Sequence, residues 1–543
     1  MANMFNIGTS ALTSLQRAIS TTGNNIANAN TEGYSRQDVR FTARTPQYSG
    51  GFQFGAGVEI GSVERAYDAF LTQDVRARAS SSAYFESFAT TAGQIDNLMA
   101  DPATSISAAM DRFFASMEAV ANSPTSQPER QVMLAEAQTL ASRFNYVDAR
   151  LSELAENMNE QMSVHVVDIN QYAQDIAQLN EQIVRLEKTP GGSPNDLLDR
   201  RDLAVESLSK LMRVDVRPQE DGSLHIFATS GHQLVSQSGA EALRVSPAPQ
   251  PDGPARIFIS GAADRELTGV ALGGQLGAAM DATSGIIDRA RRDIGLLALG
   301  LTDTFNTQHT SGLNLALEVG ADFFSAIEPV STAATTNSGT TTVSAVIDDV
   351  TQVTGASYRV EYTDTGITVT NLATNESQDA TAPSISLDGI TISVTEFAGA
   401  AEGDSFLVEP TGRAASSIGV AITDPADIAA ANADGAVGDN RNMLSLIDLR
   451  DSDGLRGGTQ SLYDIYNNAV AQVAVDTRSA QANAETEISL FKSVTDRRDS
   501  ITGVNLEEEA ANLIRYQQAY QAAAQIVTSA NDMFDTLIRA ASR

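Results

Sequence analysis

Few residues in this chain could do chemistry, and they are scattered. The four histidines are His165, His225, His232 and His309, and none stands in the His-Glu-x-x-His spacing of a zinc hydrolase. His225 and His232 fall in one predicted hairpin region and could approach each other. No carboxylate or thiolate completes a ligand set beside them, so they read as ordinary surface histidines. With no cysteine, disulfides, thiolate metal sites and cysteine nucleophiles are all excluded. Asp451-Ser452-Asp453-Gly454 hints at a calcium loop. Aligning Gly454 with the invariant glycine puts Leu449 and Gln460 where the first and last acidic ligands belong, so the segment reads as a turn. Gly273-Gly274-Gln275-Leu276-Gly277 lacks the Lys-Ser/Thr of a phosphate loop and reads as a turn entering a helix. Among 68 acidic residues no single carboxylate pair is informative. The expectation is a non-enzyme without cofactor or metal.

Charge narrows the partners. Lys plus Arg is 36 and Asp plus Glu is 68, a formal charge of −32. Phosphate backbones and anionic membrane surfaces repel such a chain, so neither nucleic acid nor membrane insertion is expected. Residues 1–60 are nearer neutral, with Arg17, Arg36, Arg40 and Arg44 against Glu32, Asp38 and Glu59. Met1 to Ser20 has no basic start followed by an apolar run, so it does not read as a Sec signal. No stretch reaches the roughly 18 apolar residues of a spanning helix.

The elements that would position any site follow from periodicity. The length, 543 residues, suggests roughly three or four domains. Phe5, Leu12, Ile19 and Ile26 recur every seven positions, an a/d seam that the Asn-rich stretch from Asn24 to Asn30 and Gly33 then break. At the other end Leu506, Leu513, Tyr520, Val527 and Phe534 are spaced by seven, with Tyr516, Ala523, Ala530 and Leu537 as companions. Residues 128–188 hold one proline, at the start, and no glycine, so they predict a long coiled-coil-like rod. The pattern turns to period two over 212–270, where Glu220-Asp221-Gly222 separates alternating runs. It does so again over 330–410, around Asp364-Thr365-Gly366.

The predicted fold class is α+β and multidomain. A long helical coiled-coil-like bundle forms from the N- and C-terminal segments, with β-rich domains inserted. The divisions are an N-terminal axial helix and extended segment (1–60), a long helical bundle (61–211), the first part of a β-rich domain (212–272) and a returning helix (273–325). An inserted β domain (326–412), a linker with the bundle's return (413–500) and a C-terminal coiled-coil helix (501–543) complete the chain. Such nesting brings the two terminal seams together. Lacking a globular core, they are expected to be completed by neighbouring molecules and to be disordered in an isolated monomer.

Certain segments carry a resemblance. Asn24-Asn25-Ile26-Ala27-Asn28-Ala29-Asn30-Thr31-Glu32-Gly33-Tyr34-Ser35-Arg36-Gln37 is similar to the N-terminal signature of the flagellar rod, hook and hook-associated axial protein family. The run Gly503-Val504-Asn505-Leu506-Glu507-Glu508-Glu509, with Tyr516-Gln517-Gln518-Ala519-Tyr520, resembles that family's closing helix. Asn195-Asp196-Leu197-Leu198-Asp199-Arg200-Arg201-Asp202, Asp221 to Phe227, Ala298 to Gly312, Gly403 to Phe406 and Gly438 to Asn442 resemble the hook-associated branch.

The resemblance implies a structural subunit at the junction of hook and filament, outside the cell and only transiently cytoplasmic. It implies export through the flagellar type III system and a ring-like layer of neighbouring copies. The implied partners are the hook protein, the second junction protein (hook-associated protein 3) and a cytosolic export chaperone. It implies axial packing by Phe5, Leu12, Ile19 and Ile26, and both axial packing and chaperone binding by Leu506, Leu513, Tyr520, Val527 and Phe534. The competing expectations are a flagellar rod or hook subunit, which would share only the terminal motifs, and a secreted fibrous adhesin working through the 330–410 region.

Overall fold

The computed structural model describes residues 2–49, 52–102, 104–189, 194–237, 239–246, 255–260, 265–267, 272–363, 366–381, 383–395 and 399–541. The first helix, α1 (Ala2–Ala27), stops in the Asn-rich segment, where Asn28 caps the last turn by bonding back to Asn24. A two-stranded ribbon follows, β1 (Gln37–Ala43) against β4 (Val58–Arg65), with the small hairpin β2 (Gln47–Ser49) and β3 (Phe52–Phe54) at its tip. The extended segment thus runs a few residues past position 60, because β4 stays paired with β1 as far as Arg65.

The body is a set of long helices, α2 (Ala69–Ala100), α3 (Ile106–Asn122), α4 (Gln127–Glu187) and α5 (Asn195–Leu211). The rod expected over 128–188 is α4, with 61 residues. Its buried positions, among them Leu140, Phe144, Leu151, Met158, Met162, Ile169 and Ile176, form one stripe at helical spacing. The Thr189-Pro190-Gly191-Gly192 stop lies mostly outside the described residues.

Residues 212–272 form short antiparallel strands in two sheets. One runs β5 (Val214–Pro218), β6 (Leu224–Ala228), β7 (Gln233–Ser236), β8 (Gly239–Ala240), and the other stacks β9 (Leu243–Ser246), β10 (Arg256–Ile259) and β11 (Arg265–Leu267). The return helix is α6 (Gly274–Asp281), a π-helical stretch (Ala282–Ile287) and α7 (Asp288–Thr310). Its entry is the predicted glycine turn, with Gly273 and Gly274 at φ of 56° and 57°.

The inserted β domain has two sheets. The first is ordered β12 (Val330–Ala333), β19 (Ser405–Glu409), β14 (Tyr358–Thr363), β15 (Gly366–Asn371), β16 (Ser377–Ala380), and the second β13 (Thr342–Ile347), β18 (Ile390–Thr395), β17 (Ser384–Leu387). β14 pairs with β15 as the alternation predicts, although Asp364 and Thr365 of the turn lie outside the described residues. First and last strands are partners, Val330 opposite Glu409, so the domain leaves and re-enters the body at one place. After it come α8 (Ala414–Ser417), α9 (Arg441–Asp448), α10 (Leu462–Thr502) and α11 (Leu506–Ala541).

α10 returns along α2, held by Leu71, Val75 and Val494 and by the Arg78–Glu487 ion pair. One core then runs without interruption from α2 through the β domains to α10, with the clustered rings of Phe113, Phe114, Phe305, Phe323 and Phe324 inside it. Both chain ends are continuous helices packed on each other, whereas disordered ends are expected from the sequence of a lone monomer. The contact between α1 and α11 supplies within the chain part of the surface that order needs.

Candidate functional site

None of the residues singled out for chemistry assembles a reactive centre. His232 Nδ1 lies 3.0 Å from Ser230 Oγ and its Nε2 2.9 Å from Arg265, a pairing with a cation rather than with a metal ligand. Asp451 pairs with Arg450 at 3.0 Å. Among the described residues no three histidines or carboxylates are grouped to hold a metal, and no helix is long and apolar enough to cross a membrane.

The two terminal helices form a different kind of site. They run antiparallel, with Gly8 opposite Val527 and Asn25 opposite Glu509. The buried positions of α1 are Gly8, Ser14, Ala18, Thr22 and Asn25, and on α11 they are Glu509, Ala523 and Ala530. These small residues let the backbones approach closely. A Cβ on Gly8 would stand 2.6 Å from Val527 Cγ2, so any side chain there requires Val527 to shift.

The predicted seam residues sit beside this contact rather than in it. Leu12, Ile19, Ile26, Leu513 and Val527 are half-buried, and Phe5, Leu506, Tyr520 and Phe534 are exposed. Val527 faces α1, so it belongs to the contact within the chain. From Phe534 on, α11 passes the start of α1, and Phe534, Leu537 and Ile538 are 56, 53 and 51% exposed. Met4, Ile514, Ile526 and Met533 are exposed as well.

A polar clasp joins this helical pair to the body. Asn25 is buried and all its amide positions are used: Nδ2 donates to Gln37 O at 2.9 Å and Glu509 Oε2 at 3.0 Å, while Oδ1 accepts from Tyr34 OH at 2.8 Å and Gln37 N at 3.0 Å. The backbone N–H of Arg36 donates to Thr502 O at 2.8 Å, and its side chain pairs with Glu508 at 3.0 Å. The chain then bonds to α5, with Ser35 N donating to Asp199 Oδ2 and Gln37 Nε2 to Asp196 Oδ1, both at 3.0 Å. Gly33, at φ 77°, lies against Leu203 of the same helix, and a Cβ there would come within 3.3 Å of it.

Beneath lies an ion network. Arg65 bridges Asp199 at 2.8 Å and Asp202 at 2.6 Å, and Arg76 reaches Asp202 at 2.6 Å. Burial alone would lower the Arg65 guanidinium, but Asp202 and Asp199 outweigh it and hold the pKa above its ordinary value. Arg201 faces the other way, bonding Asn180 Oδ1 and Gly222 O at 3.0 and 2.7 Å, and burial pulls it down to about 10. The Asn-rich signature, the Asp199–Asp202 segment and the start of α11 therefore meet at one place. Sequence reading quoted all three segments without joining them. The available signal was Asp199 and Asp202, three apart on one helix face, which require a cation when covered.

Burial, with Asp196, Asp199 and Glu509 nearby, pushes the Tyr34 hydroxyl up to about 12. A pKa raised on folding adds stability that is complete below the unfolded value near 10 and lost as pH climbs towards 12. Tyr34→Phe should therefore flatten part of the fall in thermal midpoint between pH 10 and 12. An alkaline melting series on both proteins checks it, and identical curves would remove Tyr34 from the clasp.

Known proteins divide along the same lines. Residues 5–34 match the family described as Flagella basal body rod protein, and residues 499–540 match Flagellar basal body rod FlgEFG protein C-terminal. Between them, residues 92–324 match Flagellar hook-associated protein FlgK helical domain, and 332–410 match Flagellar hook-associated protein 1, D2-like domain. Flagellar hook-associated protein 1 of Salmonella typhimurium is 33% identical over 553 aligned residues, covering 99% of this chain and all of that one. The chain belongs to the flagellar hook-associated protein 1 family.

The Escherichia coli relative of the same name is 32% identical over 99% of this chain and the whole of its own, and that of Bacillus subtilis 25% over 97% and 96%. The fold is that of the flagellar hook junction protein FlgK from Burkholderia pseudomallei, with a TM-score of 0.72 and 23% identity over 79% of this chain and all of that one. A rod or hook subunit would account for the two ends alone, and the middle sets that alternative aside. The 330–410 region, the part open to an adhesin reading, matches the family's own D2-like domain. Members of this family are structural components of the flagellum, and so is this chain.

Proposed function

We propose that this chain builds the hook–filament junction by packing its paired terminal helices into those of neighbouring copies in a ring-like layer. The observation that carries this reading is the division of labour on the helical pair. Small residues are used up between α1 and α11, and several large apolar ones, among them Phe5, Ile514, Ile526, Phe534, Leu537 and Ile538, are left exposed. Burying each such side chain contributes about 1.5–3 kcal/mol, so a row of them favours assembly strongly once neighbours are present. The hook protein adjoins the layer on one side and the second junction protein, hook-associated protein 3, on the other.

The same exposed row makes a lone chain prone to aggregate. A cytosolic export chaperone covers the α11 face through Leu513, Tyr520 and Phe534 before the chain leaves unfolded by the flagellar type III route. Axial packing on the other helix uses Phe5, Leu12, Ile19 and Ile26, and on α11 Leu506 with the same residues the chaperone releases. Val527 contributes by holding the pair closed. The chain has no enzymatic step and needs no cofactor. Electron microscopy of flagella carrying a tagged copy tests the reading. Label confined to the distal end of the hook is expected, and label spread along the filament or on the cell body overturns it.

Because Val330 and Glu409 are paired neighbours, the β insert can be removed and its ends joined by a short turn. Replacing 330–409 in this way should leave an exported, folded helical body whose thermal midpoint shifts by a few degrees. Circular dichroism of the secreted variant checks this, and loss of helical signal would show that the helical body cannot fold without the insert's share of the common core.

A further inference from the structure

His309 is fully buried at the end of α7, where the chain leaves for the β domain. Its Nδ1 is 2.7 Å from Ala321 O and its Nε2 is 2.9 Å from Ala429 N. A carbonyl can only accept and a backbone N–H can only donate. The ring is therefore neutral, with the proton on Nδ1. The two partners belong to different connectors: residues 311–329 run out to β12, and 410–431 return from β19. The connectors touch each other at Leu313–Ala431 and Phe324–Val420, and the ring pins both to α7.

The surroundings penalise a second proton. Phe305 stacks on the imidazole at 6.2 Å and Phe323 meets it edge-on at 5.4 Å. Arg130, from the first turn of α4, is buried in the same region. It bonds the backbone carbonyls of Pro124, Pro425 and Ile428 at 2.7, 3.2 and 2.5 Å, rather than a carboxylate. The charged groups acting on His309 are thus Arg130 from α4, Asp322 from the outgoing connector and Asp427 from the returning one.

We propose that His309 is an acid-sensitive pin at the root of the outer β domain, whose protonation frees both connectors and loosens that domain from the helical body. Protonated, the ring carries N–H on both nitrogens, so the Ala429 N–H loses its acceptor and faces a donor. The new cation also lies in a buried region already occupied by Arg130. The direction agrees: burial, with help from Arg130, lowers the His309 pKa, against Ala321 O, Asp322 and Asp427. For a histidine whose pKa falls on folding, stability is complete above the unfolded value near 6.5 and lost as pH falls through the folded one. The device therefore stays shut at neutral pH and opens in acid.

Hydrogen exchange on the full chain, corrected for intrinsic rates, tests it. Protection of 313–325 and 420–431 should drop at least about 10-fold between pH 7 and pH 4.5, ahead of α4, which serves as the internal control. His309→Gln can offer an amide donor to Ala321 O and a carbonyl to Ala429 N but cannot be protonated, and it should hold protection level across that range. A wild-type chain whose connectors stay as protected as α4 at pH 4.5 overturns the proposal, as does an equal loss in His309→Gln. Should that variant not fold, exchange at the imidazole C2 carbon reads the His309 titration in the wild type. A midpoint at or above 6.5 overturns the proposal, and one below it supports it.

Discussion

Phe534→Asp combined with Leu537→Asp should abolish attached filaments while leaving the isolated protein as stable as before. Both residues are more than half exposed on the part of α11 that passes the start of α1, so the monomer gains little from them. In an assembled layer each would be covered by a neighbour. Two carboxylates forced into such a contact would be stranded without partners, a cost of several kcal/mol that multiplies over every copy in the ring. Motility should vanish and unassembled filament protein should appear in the medium. Thermal midpoint and helical content of the purified variant should match the parent within a degree or two. Normal swimming would show that this face is not an assembly surface. A collapsed melting curve would show that it is already used within the chain.

Arg65→Met should cost about 3–5 kcal/mol, because it leaves the buried Asp199 carboxylate without a cation while Asp202 keeps only Arg76. Chemical denaturation followed at α1 and at α4 checks it. The clasp should open first, so a probe on α1 should lose its signal at lower denaturant than one on α4. Asp199→Asn in the same background removes the carboxylate left without a cation and should recover part of the loss. A cost below about 1 kcal/mol would place the network in the class of exposed ion pairs that contribute little.

The helices were the most legible part of this protein. The rod of α4 and the closing helices α10 and α11 follow from runs with no interior glycine or proline that are far longer than any strand. The strands around Gly222 and between Tyr358 and Val369 follow from alternation in the same way. The terminal seams were read from their large residues, Phe5 and Leu12 on one side and Leu513 and Phe534 on the other. The structure closes the pair instead through Gly8, Ala18, Ala523 and Ala530. Heptad counting weights bulk, and close approach is governed by its absence, so the two stripes differ by a small rotation that periodicity does not resolve. The clasp was illegible for another reason. Arg65, Asp199 and Glu509 are joined by tertiary packing, and no spacing along the chain connects them. His309 likewise stands in no motif, because its partners Ala321 O and Ala429 N reach it only through the fold.

Asn25 and Glu509 are bonded across 484 positions of sequence. Loop-closure entropy rises only with the logarithm of length, so the distance itself is a modest obstacle. Its effect is on timing. On the export route proposed above, a chain threaded end-first would hold one half of the clasp in the open while the other half had not yet emerged, and the Asn25–Glu509 bond could not form until both were through. A product cut short by a stalled ribosome or a protease keeps an intact Asn25 and has nothing to give it. The terminal pair thus registers both ends of the chain at once, and its bond forms only where Asn25 and Glu509 are both present.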